Sequence, residues 1–209
     1  MTDPRVSLVE VGYDAIADLF IEWSGQIEGD ERARWRQELA DRLPDGARVL
    51  ELGCGAGLAD THLLARRFQV TGVDVSREQL DRAARNVPTA TFLQADFTRV
   101  AFDSGSFEAV AAFYSFNHVP RDALAALLAR IHAWLVPGGR LLAAFGTSDT
   151  ESWTGAWLGT TMFFSSFPPE TNRRLLLEAG FALELDEIVT MVEPEPDGEG
   201  QWQWVLARR

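Results

Sequence analysis

The chain lacks most of the features that would set it apart from ordinary globular proteins. One cysteine, Cys54, among 209 residues excludes an internal disulfide framework and suits a reducing compartment. Long apolar runs are missing as well. The longest, Ala109 to Phe116, falls far short of the roughly 20 residues that a membrane-spanning helix needs. The start, MTDPRVSLVEV, has no basic segment followed by an apolar one, so no secretory signal is expected. Basic charge is also scarce: 19 Lys and Arg stand against 31 Asp and Glu, a net charge of −12. Surfaces that bind duplexes cluster their cations to neutralise phosphates. Here Arg-rich spots such as Arg32-Ala-Arg-Trp-Arg36 are interleaved with acids and read as solvated helix faces. A soluble cytoplasmic protein with neither nucleic acid nor membrane as partner is expected. The 46% hydrophobic and 24% charged fractions are ordinary, and the length suits a single domain with a full core.

What is present is an alternation of strand and helix signals. Residues 11–43 read as helical, with Tyr13, Ile16, Ala17, Phe20 and Ile21 on one face and Trp35, Leu39 and Leu43 on another. Pro44-Asp-Gly46 stops the second helix. Strands are expected at Arg48–Leu52, Val70–Asp74, Ala90–Ala95, Phe107–Phe113 and Arg140–Phe145. Helices are expected from Leu58 to about Arg67, after the N-cap Ser76, and along the stripe Leu124, Leu127, Leu128, Ile131 and Leu135, which Pro137-Gly-Gly139 ends. The pattern implies a parallel, doubly wound α/β sheet. Residues 147–168 form a long aromatic connection, TSDTESWTGAWLGTTMFFSSFP. A helix from Glu170 to Ala179 follows, then strand-like Phe181–Val192 and Gln201–Leu206. Only EPEPDGEG separates these two, so they pair antiparallel.

The stretch VLELGCGAG, Val49–Gly57, places glycines at every second position behind an apolar strand. A Walker-type loop needs Lys and then Ser or Thr after its last glycine, and Leu-Ala-Asp stands there instead. The dinucleotide pattern needs a glycine three residues after Gly55, where this chain has Leu58, so a NAD-dependent oxidoreductase is disfavoured. Glu51 would repel a pyrophosphate at this helix N-terminus and suits a cationic amine. Asp74 ends the second strand where an acid can accept both ribose hydroxyls. Asp96 follows the third strand, placed for an adenine amino group. An ammonium, a ribose and an adenine without phosphate describe S-adenosyl-L-methionine (SAM).

VLELGCGAG, VTGVDVS, LQADFT, SFEAVAAFYSFNHVP and LVPGG, in this order and spacing, resemble a class I SAM-dependent methyltransferase of the small-molecule branch. The DPPY or NPPY tetrad of amino-methylating nucleic-acid enzymes is absent at Phe113-Tyr-Ser-Phe116, and so is the glutamate pair of arginine methyltransferases. The resemblance implies a Rossmann-like, mostly parallel seven-stranded sheet ending in an antiparallel hairpin. It divides the chain into a helical cap (1–44), a SAM-binding core (45–146), an aromatic lid-like insertion (147–168) and a closing helix and hairpin (169–209). It further implies that Gly53, Gly55 and Gly57 let the backbone approach the methionine part of SAM, with Glu51 near its amine. Cys54 contributes its backbone only. Asp74 holds the ribose, Val75 packs on adenine, Asp96 and Phe97 read its edge, and Phe113 borders the sulfonium. Tyr13, on a helix that covers the cofactor cleft in similar enzymes, reaches cofactor or acceptor, or packs in the core.

Methyl transfer needs a base only when the nucleophile must lose a proton. His118, just past the fourth strand, is the candidate; a loop histidine that caps the next helix is the alternative. His62 and His132 read as surface or structural. Tyr114, Trp153, Trp157 and Met162 are candidates for the acceptor pocket. One helical turn would place Trp153 and Trp157 on one face; the alternative is that these aromatics pack the insertion onto the sheet. Trp202 and Trp204 read as core, EPEPDGEG as a solvated turn without metal. The expected function is methyl transfer to an O or N atom of a small apolar or aromatic metabolite. A SAM-binding protein without transferase activity needs the same cofactor residues and stays open.

Overall fold

Three helices precede the first strand in the computed structural model, which describes residues 3–58 and 60–209. They are α1 (Pro4–Ala15), α2 (Ala17–Ser24) and α3 (Arg32–Ala40). Asp3 caps α1 by accepting from the Arg5 backbone N–H, and Pro4 fills the first turn, where no donor is needed. The expected pair of helices is thus divided differently. Ile16, at φ −110°, breaks the first, and residues 25–31 leave helix altogether. The cause is tertiary: Glu28 and Val192 exchange both backbone hydrogen bonds at 2.9 Å, and Gly29 turns the chain at φ 74°.

The sheet follows the expected order. Strands β1 (Arg48–Leu52), β2 (Gln69–Asp74), β3 (Thr91–Gln94), β4 (Phe107–Ala112) and β5 (Leu135–Gly146) alternate with helices α4 (Asp60–Leu64), α5 (Arg77–Asn86) and α6 (Arg121–Trp134). After β5 come a separate hairpin, β6 (Thr150–Trp157) and β7 (Thr160–Ser166), then α7 (Pro169–Glu178), β8 (Ala182–Glu193) and β9 (Gly198–Arg208). The seven strands of the main sheet run β3-β2-β1-β4-β5-β9-β8. The first five are parallel, and β9 pairs antiparallel with both β5 and β8. The order reverses between β1 and β4, so the crevice at their carboxyl ends is the place where such sheets take ligands.

Helices cover both faces, which is why β4 is apolar at every position from Ala109 to Ala112. Val110 and Ala112 face α6 and α7 with Leu50 and Leu52. Ala109 and Ala111 face α3 with Val49, Trp35 and Leu39. Trp204 is fully buried and stacks on Trp35 at 5.6 Å, the core place expected for it. α6 ends at Trp134, earlier than Pro137 suggests, because Leu135 already pairs with Phe107. No helix among the described residues is long and apolar enough to cross a membrane.

The insertion is a β-hairpin, so Trp153 and Trp157 do not lie on a helical turn. They share one face of β6 through the two-residue period of a strand. Leu158 at φ 49° and Gly159 at φ 81° form the two-residue turn, whose twist suits a hairpin. The usual Asn-Gly signal is missing, since leucine rarely adopts positive φ. Gly155 has its own reason: a Cβ there would stand 2.5 Å from Trp153 Cζ2, so the bare backbone lets the indole lie across the strand.

Candidate active site

The glycine turn is shaped by what presses on it. Gly53 leaves β1 at φ 75°, and a Cβ there would stand 2.4 Å from Ser115 Cβ. Ser115 is held from the β4 side by its hydroxyl, which donates to Leu52 O at 2.7 Å. Gly57, at φ 69°, faces Ala83 of α5 so closely that a Cβ there would stand only 3.1 Å from it. At Gly55 the backbone N–H donates to Asp74 Oδ2 at 2.8 Å. The thiol of Cys54 is buried, and burial first, then the charges of Asp74 and Glu51, push it well above its ordinary value.

Glu51, next to last in β1, is almost fully buried. Burial, reinforced by the charge of Asp60, raises its carboxyl to about 8, while Thr61 and Arg32 pull the other way. Its Oε2 has no hydrogen-bond partner. Asp60, one turn away on α4, is buried too but committed: Arg36 donates to it at 2.6 Å, and Arg32 lies at 3.8 Å.

Asp74 accepts from Gly55 on one oxygen and from Ser76 N at 2.9 Å on the other. Burial raises its carboxyl, and the backbone bonds from Ser76, Gly55 and Val75 oppose that. Ser76 caps α5 by accepting from Gln79 N at 3.1 Å, as the sequence predicts. Val75 packs against the cluster of Val9, Ile16, Met162 and Phe163. Beyond β3, Asp96 Oδ1 accepts from the backbone N–H and hydroxyl of Thr98 at 2.8 and 2.6 Å, while Oδ2 is buried without a partner. Phe97 lies 6.3 Å from Phe116, half-buried over the core.

On the other rim of the crevice, His118 closes a short 3-10 turn, Phe116–His118. Its Nδ1 lies 2.8 Å from the carbonyl of Phe163 and its Nε2 2.9 Å from the Tyr13 hydroxyl. A carbonyl only accepts, so Nδ1 carries the proton and Nε2 receives the hydrogen bond from Tyr13. Burial drives the imidazole down to about 4 against the opposing Phe163 bond. The Tyr13 phenol is pushed far up, by burial first and then by Asp74 and Glu193.

Around this pair stands a set of rings from three elements, α2, β6 and β7. Trp157 meets Trp23 at 5.2 Å, Phe164 at 5.5 Å, Phe20 at 6.0 Å and Tyr13 at 6.2 Å. His118 lies 4.7 Å and the partly exposed Trp153 5.6 Å from Phe164. Three expected residues are placed elsewhere. Met162 is fully buried under Gly12 of α1, where a Cβ would stand 2.7 Å from its Cε. Phe113 packs into the lower layer against Trp204. Tyr114, at φ 59°, donates to Asp30 at 2.8 Å, with Arg32 over its ring and Trp202 at its edge.

Three residues escape the sequence reading, and a fourth, Gln79, enters it only as a first-turn residue of α5 able to meet free backbone donors. Ser115 braces Gly53. Asp14 ties α1 to α5, accepting from Ser76 Oγ at 2.6 Å and Glu78 N at 3.1 Å. Gln79 has a buried amide with no partner. Trp23 completes the ring set. Only Gln79 carried a signal, as a polar residue on the α5 stripe that includes Leu80 and Ala83.

A doubly wound sheet with a glycine turn, an acid at or just past the carboxyl end of each of its first three strands and a lining of aromatics defines a protein that binds a nucleoside-bearing cofactor in the switch-point crevice. Two buried carboxylate oxygens without partners, Glu51 Oε2 and Asp96 Oδ2, fit the ammonium and the adenine amino group of SAM. Residues 49–139 match the family model described as methyltransferase domain. An uncharacterized methyltransferase of Synechocystis is 30% identical over 134 residues, 64% of this chain and 62% of the relative. The 27-O-demethylrifamycin SV methyltransferase of Amycolatopsis mediterranei is 31% identical over 163 residues, 68% of this chain and 59% of the relative. These matches span less than two thirds of either relative's length. Among solved structures, the 1,6-didemethyltoxoflavin-N1-methyltransferase of Burkholderia thailandensis, with bound 1,6-didemethyltoxoflavin and S-adenosylhomocysteine, superposes at a TM-score of 0.74 with 24% identity. It covers 100% of this chain and 91% of its own, which shows the shared fold. The chain belongs to the class I SAM-dependent methyltransferase family.

Proposed function

We propose that this protein is a SAM-dependent methyltransferase acting on an O or N atom of a small aromatic or apolar metabolite. The observation that carries the proposal is the meeting of two sets of side chains at one sheet edge. Glu51, Asp74 and Asp96 line the cofactor rim, and Tyr13, His118, Trp23, Trp157 and Phe164 line the other. The names of the rifamycin and toxoflavin relatives, which state small-molecule acceptors, support it. The net charge of −12 speaks against a nucleic-acid acceptor.

Bound SAM supplies a methyl group that already carries its leaving group. The protein's share of the reaction is alignment and exclusion of water, and positioning of this kind contributes several kcal/mol. Glu51 receives the amine, Asp74 the ribose, and Asp96 with Phe97 the adenine edge. The hairpin and α2 shield the acceptor side. His118, neutral and fixed by Phe163, holds a lone pair toward the Tyr13 hydroxyl. When the acceptor must lose a proton, it passes to the Tyr13 oxygen as the phenol's own proton moves to His118 Nε2. An acceptor that is already nucleophilic needs the pair only for orientation.

Calorimetry with SAM and NAD, followed by labelled SAM with a panel of phenols, quinols and aromatic amines and mass spectrometry of products, tests the reading. SAM binding and one methylated product are expected. Tight NAD binding without SAM binding overturns the cofactor. SAM binding with no product from the panel or a cell extract favours a binding protein without transferase activity.

A further inference from the structure

The segment EPEPDGEG reads as a solvated turn, but its first carboxylate is placed differently from the rest. Glu195, Asp197 and Glu199 are exposed, whereas Glu193, the last residue of β8, is half-buried. It shares a strand face with Met191 and Val189 through the two-residue period, and Met191 is buried. Val189 pairs with Trp202, which lies 4.7 Å from the Tyr114 ring just past β4. Next to Glu193, Val192 is bridged to Glu28, a few residues beyond α2, the helix of Phe20 and Trp23. The charge of Glu193 reaches the Tyr13 phenol, which belongs to the ring set. Burial first, then the charge of Asp197, raises its carboxyl, and the Trp202 indole opposes them. No arginine among the described residues pairs with it. The ring set has an unmet polar group of its own, the Trp23 indole N–H, which is buried without a partner.

We propose that Glu193 and the ring set bind a protonated amine on the methyl acceptor, so that the acceptor is an aromatic compound with a cationic tail. The inference rests on the reading of this side of the crevice as the acceptor side. Ring faces carry negative potential and attract a cation placed over them. Phe20, Trp23 and Trp157 stand 5.2 to 6.0 Å from one another. A carboxylate half out of water gains a charge-assisted hydrogen bond from an ammonium that enters beside it. An anionic acceptor would meet the same carboxylate as a like charge. Glu51 serves the cofactor's amine and is not free for a second one. The net charge of −12 draws cations toward the protein as a whole. The Trp23 N–H needs an oxygen, and a phenol on the same molecule supplies it. A phenol is also a group whose proton the Tyr13 and His118 pair can take.

The test is calorimetry of the protein saturated with S-adenosylhomocysteine, using three phenols that differ in the charge of the tail. They are tyramine, neutral 4-hydroxyphenylethanol and anionic 4-hydroxyphenylacetate. Wild type is expected to bind tyramine about tenfold more tightly than the neutral phenol, and the anion more weakly than either. Glu193→Gln keeps the shape and still accepts from Trp202. It should bring tyramine down to the level of the neutral phenol and leave the neutral phenol unchanged. Glu199→Gln removes an equal charge from the exposed part of the same turn and should keep the preference for tyramine. Equal affinity of wild type for tyramine and the neutral phenol, binding of none of the three, a preference that survives Glu193→Gln, or its equal loss in Glu199→Gln would each overturn the inference. Methylation of neutral phenols beside equal affinities would refute this inference and leave the methyltransferase reading standing. If wild type does not bind S-adenosylhomocysteine, the cofactor reading itself fails and takes this inference with it.

Discussion

Replacing Glu51 with glutamine should make the ligand-free protein more stable and the cofactor complex weaker. The carboxyl is held at about 8 against an ordinary 4.5. At 1.36 kcal/mol per pKa unit, that gap is about 5 kcal/mol. Relaxation and entry of water reduce it to a few kcal/mol in practice. The sign follows from proton linkage. The folded state holds the proton more tightly than the unfolded chain, so the contribution to stability is complete below about pH 4.5 and is lost as the pH rises through 8. Glutamine keeps the shape and does not titrate.

Urea denaturation of wild type and Glu51→Gln at pH 5 and pH 9 isolates this one group, because the other titrations cancel in the difference. The variant should be within about 1 kcal/mol of wild type at pH 5 and ahead by about 2–4 kcal/mol at pH 9. With S-adenosylhomocysteine the order should reverse, since wild type gains RT ln(1 + [L]/Kd) and the variant has lost the partner of the ligand's amine. Binding by wild type near pH 7 should also release close to one proton, seen as a dependence on buffer ionisation enthalpy. A variant no more stable than wild type at pH 9 would refute the burial reasoning. Unchanged affinity would remove Glu51 from the amine site.

Three further outcomes are expected. Gly53→Ala should cost about 2–4 kcal/mol in urea denaturation, from positive φ and overpacking together, and Ser115→Gly should recover part of it, because Ser115 Cβ is the atom it meets. With an acceptor that must lose a proton, kcat/KM should hold down to about pH 5 and fall below it as His118, at about 4, takes up a proton. His118→Ala and Tyr13→Phe should each lower the rate about 100-fold or more, and a rate unchanged across pH would exclude the relay. Trp157→Ala should raise the acceptor KM with little change in S-adenosylhomocysteine affinity in calorimetry, since its neighbours Trp23, Phe20 and Phe164 belong to the acceptor side.

Where the determining signal was local, the sequence carried it. The glycine turn, the Ser76 cap, the period-2 strands and the tight link between β8 and β9 each depend on residues a few positions apart. Distant pairings left no such trace. The break at residues 25–31 is imposed by Val192. The Leu158-Gly159 turn hides a hairpin behind an unusual leucine. The bond between Tyr13 and His118 joins residues 105 positions apart, too far for any local pattern to signal it. Tyr114 and Trp157 looked alike as aromatics near a sheet edge. One anchors the cap through Asp30, and the other faces the ring set.

The acids show most clearly what only coordinates could add. Glu51 and Asp60 are both almost fully buried, and sequence alone separates them only through family likeness. Asp60 has Arg36 at 2.6 Å, so its charge is already matched within the fold and a ligand would gain little from meeting it. Glu51 Oε2, Asp96 Oδ2 and both polar atoms of Gln79 have no such match. All three residues sit at the carboxyl edge of β1 to β3 or on the helix that follows β2. Other buried side-chain atoms without partners lie elsewhere among the described residues, on Trp35 and Trp204 in the layer under the sheet and on Arg130 of α6, so an unmet atom alone does not mark a site. What sets Glu51 and Asp96 apart is that each unmet atom is a carboxylate oxygen at the crevice edge, which is the chemistry that the proposed amine and adenine contacts call for.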